Sequence, residues 1–177
     1  MELSEKIIQK IVTEGPLSFC GFMEAALYDP QMGYYQSYRN QIGKDGDYFT
    51  SPSLSPLFGQ MIARQIEEMW HLLDEKPFTV VEFGAGAGDL CDDINRHLQQ
   101  NARLYNAFRY YIVERPEVIR DPEQERSYGG RVVRLDSIRD LHGINGCILT
   151  NEVLDNFPVH RVVMQDELME VFVDFNG

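Results

Sequence analysis

The sequence contains no apolar run approaching the roughly 20 residues that span a membrane, and no membrane span is expected. Its start, Met-Glu-Leu-Ser-Glu-Lys, has neither the basic stretch nor the apolar core of a secretory leader. Cysteine is scarce. Cys20, Cys91 and Cys147 are odd in number and far apart, with no C-x-x-C pair. That excludes a disulfide framework and gives no sign of a metal or redox centre. Thiols in such apolar surroundings read as buried and free, and the expected compartment is the reducing cytoplasm. Basic residues are few and scattered, 16 Lys and Arg against 28 Asp and Glu, for a net charge of −12. Nucleic acid is therefore not expected as a partner, because binding phosphates takes clustered cations. An acidic surface favours a basic partner, such as an exposed Arg or Lys of another protein. Internal repeats and low-complexity linkers are also absent. The 177 residues, 44% apolar and 25% charged, suffice for one domain with a substantial core.

What is present is organised around Val80-Val81-Glu82-Phe83-Gly84-Ala85-Gly86-Ala87-Gly88-Asp89-Leu90. The β-branched and aromatic run 78–83 predicts a strand. Leu90, Cys91, Ile94 and Leu98 then recur on one helical face. Between them, glycines at alternate positions predict a tight turn where backbone can approach a ligand without an intervening Cβ. The N–H groups of the new helix would point at that ligand. A dinucleotide fold prefers G-x-G-x-x-G; here the spacing is G-x-G-x-G, and Asp89 stands where that pattern wants glycine. A nicotinamide enzyme is the least favoured reading for that reason. Glu82, two residues before the first glycine, suits a ligand with a cationic head, and the pattern resembles motif I of the class I methyltransferases.

The remaining chain frames this turn. Apolar periodicity predicts helices over 3–13, from an N-cap at Ser18 to Asp29-Pro30, and from Ser55 to Leu73 with Pro56 near its first position. The Met and Trp of the third stripe read as core. Further strands are predicted at 108–113, 131–135 and 146–150, with a helix and loop over 115–130. The last of these is an apolar run of the buried parallel kind. Residues 161–164 and 168–175 predict a β-hairpin. Strands alternating with helices give an α/β fold with a parallel sheet behind a helical cap. The division expected is a cap over 1–76 and a core over 77–177.

In such a sheet, ligands bind beyond the carboxyl ends of the strands. Each of the four predicted strands ends there in an acid: Glu82, Glu114, Asp136 and Glu152. A carboxylate at Glu114 can accept both hydroxyls of a ribose, and Asp136-Ser137 stands where a methyltransferase meets the adenine amino group. The bland alternatives are a solvated Glu114, a helix-capping Asp136 and an exposed first-turn Glu152. A lone His160 near a strand start reads as structural.

Three segments carry a more specific resemblance. Thr13-Glu14-Gly15-Pro16-Leu17-Ser18-Phe19 continues into Phe22-Met23-Glu24-Ala25-Ala26-Leu27-Tyr28. Gly46-Asp47-Tyr48-Phe49-Thr50-Ser51-Pro52 is followed by Ser55-Pro56-Leu57-Phe58-Gly59. The third is Asn151-Glu152-Val153-Leu154-Asp155 with Phe157-Pro158-Val159. Together they resemble the MidA-type methyltransferases, which include a mitochondrial complex I assembly protein arginine methyltransferase. The resemblance implies a class I, Rossmann-like methyltransferase sheet and S-adenosyl-L-methionine as cofactor. It implies that Glu82, Gly84, Gly86 and Gly88 hold the amino-acid end of the cofactor, Glu114 the ribose, and Asp136 and Ser137 the adenine side. Thr50 and Ser51 would fold over the site. Asn151, Glu152 and Asp155 would receive the acceptor, expected to be an arginine of a protein substrate such as a respiratory complex subunit. Ala85 and Ala87 depart from a Pro and an Arg often found there in the family, and family members run to roughly twice this length. The resemblance therefore leads us to expect an N-terminal portion whose sheet is incomplete at its C-terminus, partnered by a complementing C-terminal half or by a second copy. The rival functions are a cofactor- or partner-binding fragment without catalysis and a small-molecule methyltransferase.

Overall fold

The structure, a computed structural model, describes residues 2–36, 51–116 and 130–176. In chain order the first elements are α1 (Leu3–Glu14), β1 (Leu17–Ser18), α2 (Phe19–Tyr28), α3 (Ser51–Leu54) and α4 (Pro56–Leu72). Then come β2 (Phe78–Phe83), α5 (Asp89–Leu98), α6 (Ala102–Ala107), β3 (Phe108–Val113), β4 (Val132–Leu135) and β5 (Gly146–Thr150). The chain ends with β6 (Val162–Met164), β7 (Leu168–Glu170) and β8 (Phe172–Val173). None of the described helices is long and apolar enough to cross a membrane.

Two compact units result. The described residues of one are 2–36 and 154–176; those of the other are 51–116 and 130–153. In the first, Ser18 accepts a hydrogen bond from the Gly21 N–H at 3.1 Å and starts α2 as its N-cap. Asp29 ends that helix. Its carboxylate accepts from the N–H groups of Gln31 and Met32 and pairs with Lys6 of α1. The Lys6 bond, with the backbone donors, holds the Asp29 carboxyl below its ordinary range. The second arm of the expected hairpin is split: β6 pairs with β7, but β8 pairs antiparallel with β1, Leu17 opposite Val173. The Val171 N–H bonds the Arg161 carbonyl, while its own carbonyl accepts from Phe19, so the chain passes from one ladder to the other.

The second unit carries a four-stranded, wholly parallel sheet of order β4-β3-β2-β5. It is the parallel α/β sheet that the alternation of strands and helices predicts. One face is covered by α4 and α5. Ala63, Ile66 and Trp70 of α4 meet Leu90, Cys91, Ile94 and Leu98 of α5 over Phe78, Val80, Phe108, Tyr110 and Ile112. Burying that apolar surface at about 25 cal/mol per Å² supplies most of the unit's stability. The helices approach closely because Gly59 has no side chain: a Cβ there would stand 2.4 Å from Cβ of Asp93. Trp70 is core, as its spacing suggested, and its Nε1–H donates to the Lys76 carbonyl at 2.9 Å, whereas Met61 of the same stripe is exposed rather than core. Helix α4, read from the sequence with the cap, thus packs on the sheet's own helix α5.

The chain runs from β2 outward through β3 to β4 and then returns to the opposite side of β2 as β5. That reversal makes the carboxyl ends of β2 and β5 a topological switch point, where open α/β sheets bind ligands.

Candidate functional site

At the end of β2 the backbone turns left-handed at each glycine: φ is +64° at Gly84, +54° at Gly86 and +83° at Gly88. An L-residue pays roughly 1–2 kcal/mol for each such conformation, so the alternate glycines follow from the turn itself. Gly84 has a second reason. A Cβ there would stand 2.7 Å from Cγ2 of Val153, in the loop leaving β5. The Gly84 N–H is tied to the Val113 carbonyl at 3.1 Å, and the Gly88 N–H to the Ala85 carbonyl at 2.8 Å. Gly88 is the N-cap of α5, and the Asp92 N–H bonds its carbonyl at 2.9 Å. The first N–H groups of α5 lack intrahelical acceptors and face outward from the helix start. Gly84 and Gly86 are exposed, so a ligand can reach the backbone.

Glu82 lies behind this turn, 2% exposed. Tyr110 donates its phenolic hydrogen to Oε2 of Glu82 at 2.7 Å. Burial pushes the Glu82 carboxyl up to about 7, the nearby Glu114 adding to the effect, while the Tyr110 bond and the Arg134 charge pull the other way. Burial also raises Tyr110 well above its ordinary value, so its hydroxyl remains a donor throughout the neutral range. At the end of β3, Glu114 is likewise buried and accepts from Nη1 of Arg134 at 2.8 Å. Tyr110 and Arg134 were not singled out in the sequence. Period-two alternation places Tyr110 on the Val80 and Glu82 face, but the β2–β3 register that brings its hydroxyl to Glu82 has no local sequence signal.

The other expected residues are distributed as follows. Asp136 is exposed at the end of β4, and Ser137, not Asp136, caps the next turn by accepting from the Arg139 N–H at 3.2 Å. Asn151 is half-buried and Glu152 exposed just past β5. Glu152 adopts φ +50°, the only positive φ among the acids that end the sheet's strands. Asp155, in a 3₁₀ turn at Leu154–Asn156, belongs to the other compact unit. Ser51 opens the short α3; Thr50 lies outside the described residues. Near α3, Pro52 to Pro56 and the acidic start of α5 line an open groove of about 390 Å³. His160 pairs with Glu170 of β7 at 2.6 Å. The sheet thus gathers Glu82, the three glycines, Glu114, Asp136, Ser137, Asn151 and Glu152 along one edge. An exposed glycine backbone beside carboxylates fits a ligand with a cationic end.

Comparison with known proteins bears on what that ligand is. The chain is 29% identical to the human protein arginine methyltransferase NDUFAF7, mitochondrial, with 96% of this chain and 44% of that protein covered. Its zebrafish (Danio rerio) counterpart is 34% identical, with 96% and 46% covered, and the Drosophila melanogaster homologue 27%, with 97% and 44% covered. The chain thus spans less than half the length of these curated relatives. They are named mitochondrial, which corrects the expectation of a cytoplasmic home. Free thiols and an acidic surface do not distinguish one reducing compartment from another. A COG1565 superfamily structure from Burkholderia thailandensis, bound to S-adenosyl-homocysteine, superposes with a TM-score of 0.73 at 27% identity, covering 98% of this chain and 50% of that one. Residues 61–177 match the family model described as "Putative S-adenosyl-L-methionine-dependent methyltransferase". The chain belongs to this methyltransferase family.

Proposed function

We propose that this chain builds the cofactor site of an S-adenosyl-L-methionine-dependent methyltransferase whose acceptor is a protein arginine. The observation that carries the reading is the left-handed glycine turn at the switch point, with a buried Glu82 behind it. S-adenosyl-L-methionine, the family's cofactor, supplies an electrophilic methyl group when bound. This chain's residues would do the rest: position, orient and exclude water. Gly84, Gly86 and Gly88 would give their backbone, and Glu82 its charge, to the amino-acid end. Glu114 would hold the ribose, and its ion pair with Arg134 fixes its orientation. Asp136 and Ser137 would line the adenine side, with Ser51 covering the site.

Arginine as the acceptor is supported by the names of the relatives and by the acids that follow β5. A guanidinium presents donors only and keeps its charge, so carboxylates must orient it. Asn151 and Glu152 would do so, with Glu152 accepting a proton as transfer proceeds. The protein substrate, in this reading, presents an exposed arginine, and a respiratory complex subunit is one such candidate. A second reading, a binding fragment without catalysis, is favoured by the open flank of the sheet, where Ile148 of β5 is 57% exposed.

Calorimetric titration with S-adenosyl-homocysteine tests the site. The chain should bind and a Gly86→Val variant should not, because a β-branched residue cannot adopt φ +54° without strain. A parent that fails to bind would sink the proposal. Glu152→Gln should abolish methyl transfer to an arginine peptide while sparing cofactor binding; binding with no transfer by the parent would establish the second reading.

A further inference from the structure

Glu82 is a buried carboxyl whose hydrogen-bond donor is the neutral phenol of Tyr110, and among the described residues no cation pairs with it. The guanidinium acting on it, that of Arg134, is committed to Glu114 at 2.8 Å. A buried carboxylate without a cation is costly, and a buried carboxylic acid is not. We propose that Tyr110 is a positioning residue for Glu82, and that the pair makes cofactor binding a proton-releasing step. The Glu82 carboxyl gives up its proton to solvent as a ligand's ammonium is seated at the glycine turn. The inference rests on the cofactor reading given above and adds to it a regulation by pH.

The balance is one O–H bond broken at Glu82 and one proton passed to buffer, with the ligand's ammonium supplying the charge that the resulting carboxylate lacked. Tyr110 holds Oε2 at 2.7 Å and stays a donor through the change. The other titratable groups around the pair are Glu114 at the end of β3, Arg134 of β4, Cys91 of α5 and Cys147 of β5. Glu114 disfavours ionisation and Arg134 favours it. Burial pushes the Cys147 thiol up to about 11, so that group stays neutral across the window. This window runs from about pH 5.5 to 7.5, around the Glu82 value of about 7.

The test is calorimetry of the parent chain with S-adenosyl-homocysteine in two buffers of different ionisation heat, repeated across that window. We expect buffer-dependent heats reporting a released proton and an affinity that weakens by up to about tenfold per pH unit below 7. Glu82→Gln should bind with no proton release and a flat profile. Tyr110→Phe should move the profile to higher pH, since the carboxylate loses its one donor; a merely structural Tyr110 would leave the profile in place. Binding that is flat with pH and equal in both buffers would overturn the inference and leave the cofactor reading standing. No binding at any pH would overturn both.

Discussion

Strands β3 and β5 flank β2 through parallel ladders of similar length, yet they live in different surroundings. Phe108, Tyr110, Ile112 and Val113 of β3 are buried. On β5, Gly146, Ile148 and Thr150 are exposed, and only Cys147 and Leu149 touch the helix-covered core. Hydrogen bonds to a neighbouring strand therefore do not decide burial; the covering helices do. The chemistry follows the same divide. On the β3 side the acids Glu82 and Glu114 are buried, each held by a named donor. On the β5 side Glu152 is exposed on a left-handed backbone. One flank is buried and fixed by side-chain bonds, and the other is open.

The largest expected effect tests that divide directly. Phe108→Ala removes a fully buried ring and should cost about 3–5 kcal/mol. Ile148→Ala, at a side chain more than half exposed, should cost less than about 1 kcal/mol. Urea unfolding at fixed pH measures both. Equal losses would mean that β5 is as deeply held as β3 and would remove the basis of the comparison.

The next effect is electrostatic. The Glu82 carboxyl is raised from an ordinary 4.5 to about 7, so between those values the folded chain holds a proton that the unfolded chain has released. The folded state is therefore favoured below pH 4.5, and this contribution is lost as pH rises through 7. A difference of 2.5 units at 1.36 kcal/mol each is about 3 kcal/mol. Glu82→Gln should remove that loss and be more stable than the parent at pH 8, with little difference at pH 4. Unfolding curves for both proteins at both pH values decide it; parallel behaviour of Glu82→Gln and the parent would show that the buried carboxyl ionises freely.

Much of this was legible in the sequence because it is local. The runs 78–83, 108–113 and 146–150 are strands as expected, and the expected 131–135 is shortened only to Val132–Leu135. The glycine spacing announced its turn, Ser18 caps as its position suggested, and of the two candidate caps Ser53 and Ser55 it is Ser55 that starts α4. What escaped depends on distant partners. Strands β1 and β8 have two residues each, too few for any periodicity, and exist because they pair with one another. Helix α6 is six residues long and is started by Asn101, whose side chain accepts from the Leu104 N–H. The Tyr110–Glu82 bond needs a register between strands 28 residues apart. Ser137 rather than its acidic neighbour caps the turn after β4, a choice that composition does not reveal.

The smallest effect concerns Glu152. Its φ of +50° costs a non-glycine residue roughly 1–2 kcal/mol. Glycine would relieve that strain but lose about 0.5–1 kcal/mol to the greater freedom of its unfolded chain. The net expectation for Glu152→Gly is a gain of about 0.5 kcal/mol, read as a small rise in urea midpoint. Glu152→Ala keeps the strained backbone without the carboxylate and should gain nothing. Strain of this kind persists where it holds a side chain in place for use. If Glu152 orients the acceptor, both variants should lose methyl transfer alike although their stabilities differ. A glycine variant that is less stable than alanine would show that the loop after β5 is relaxed, and that flank would then be open by lack of packing rather than by design for a substrate.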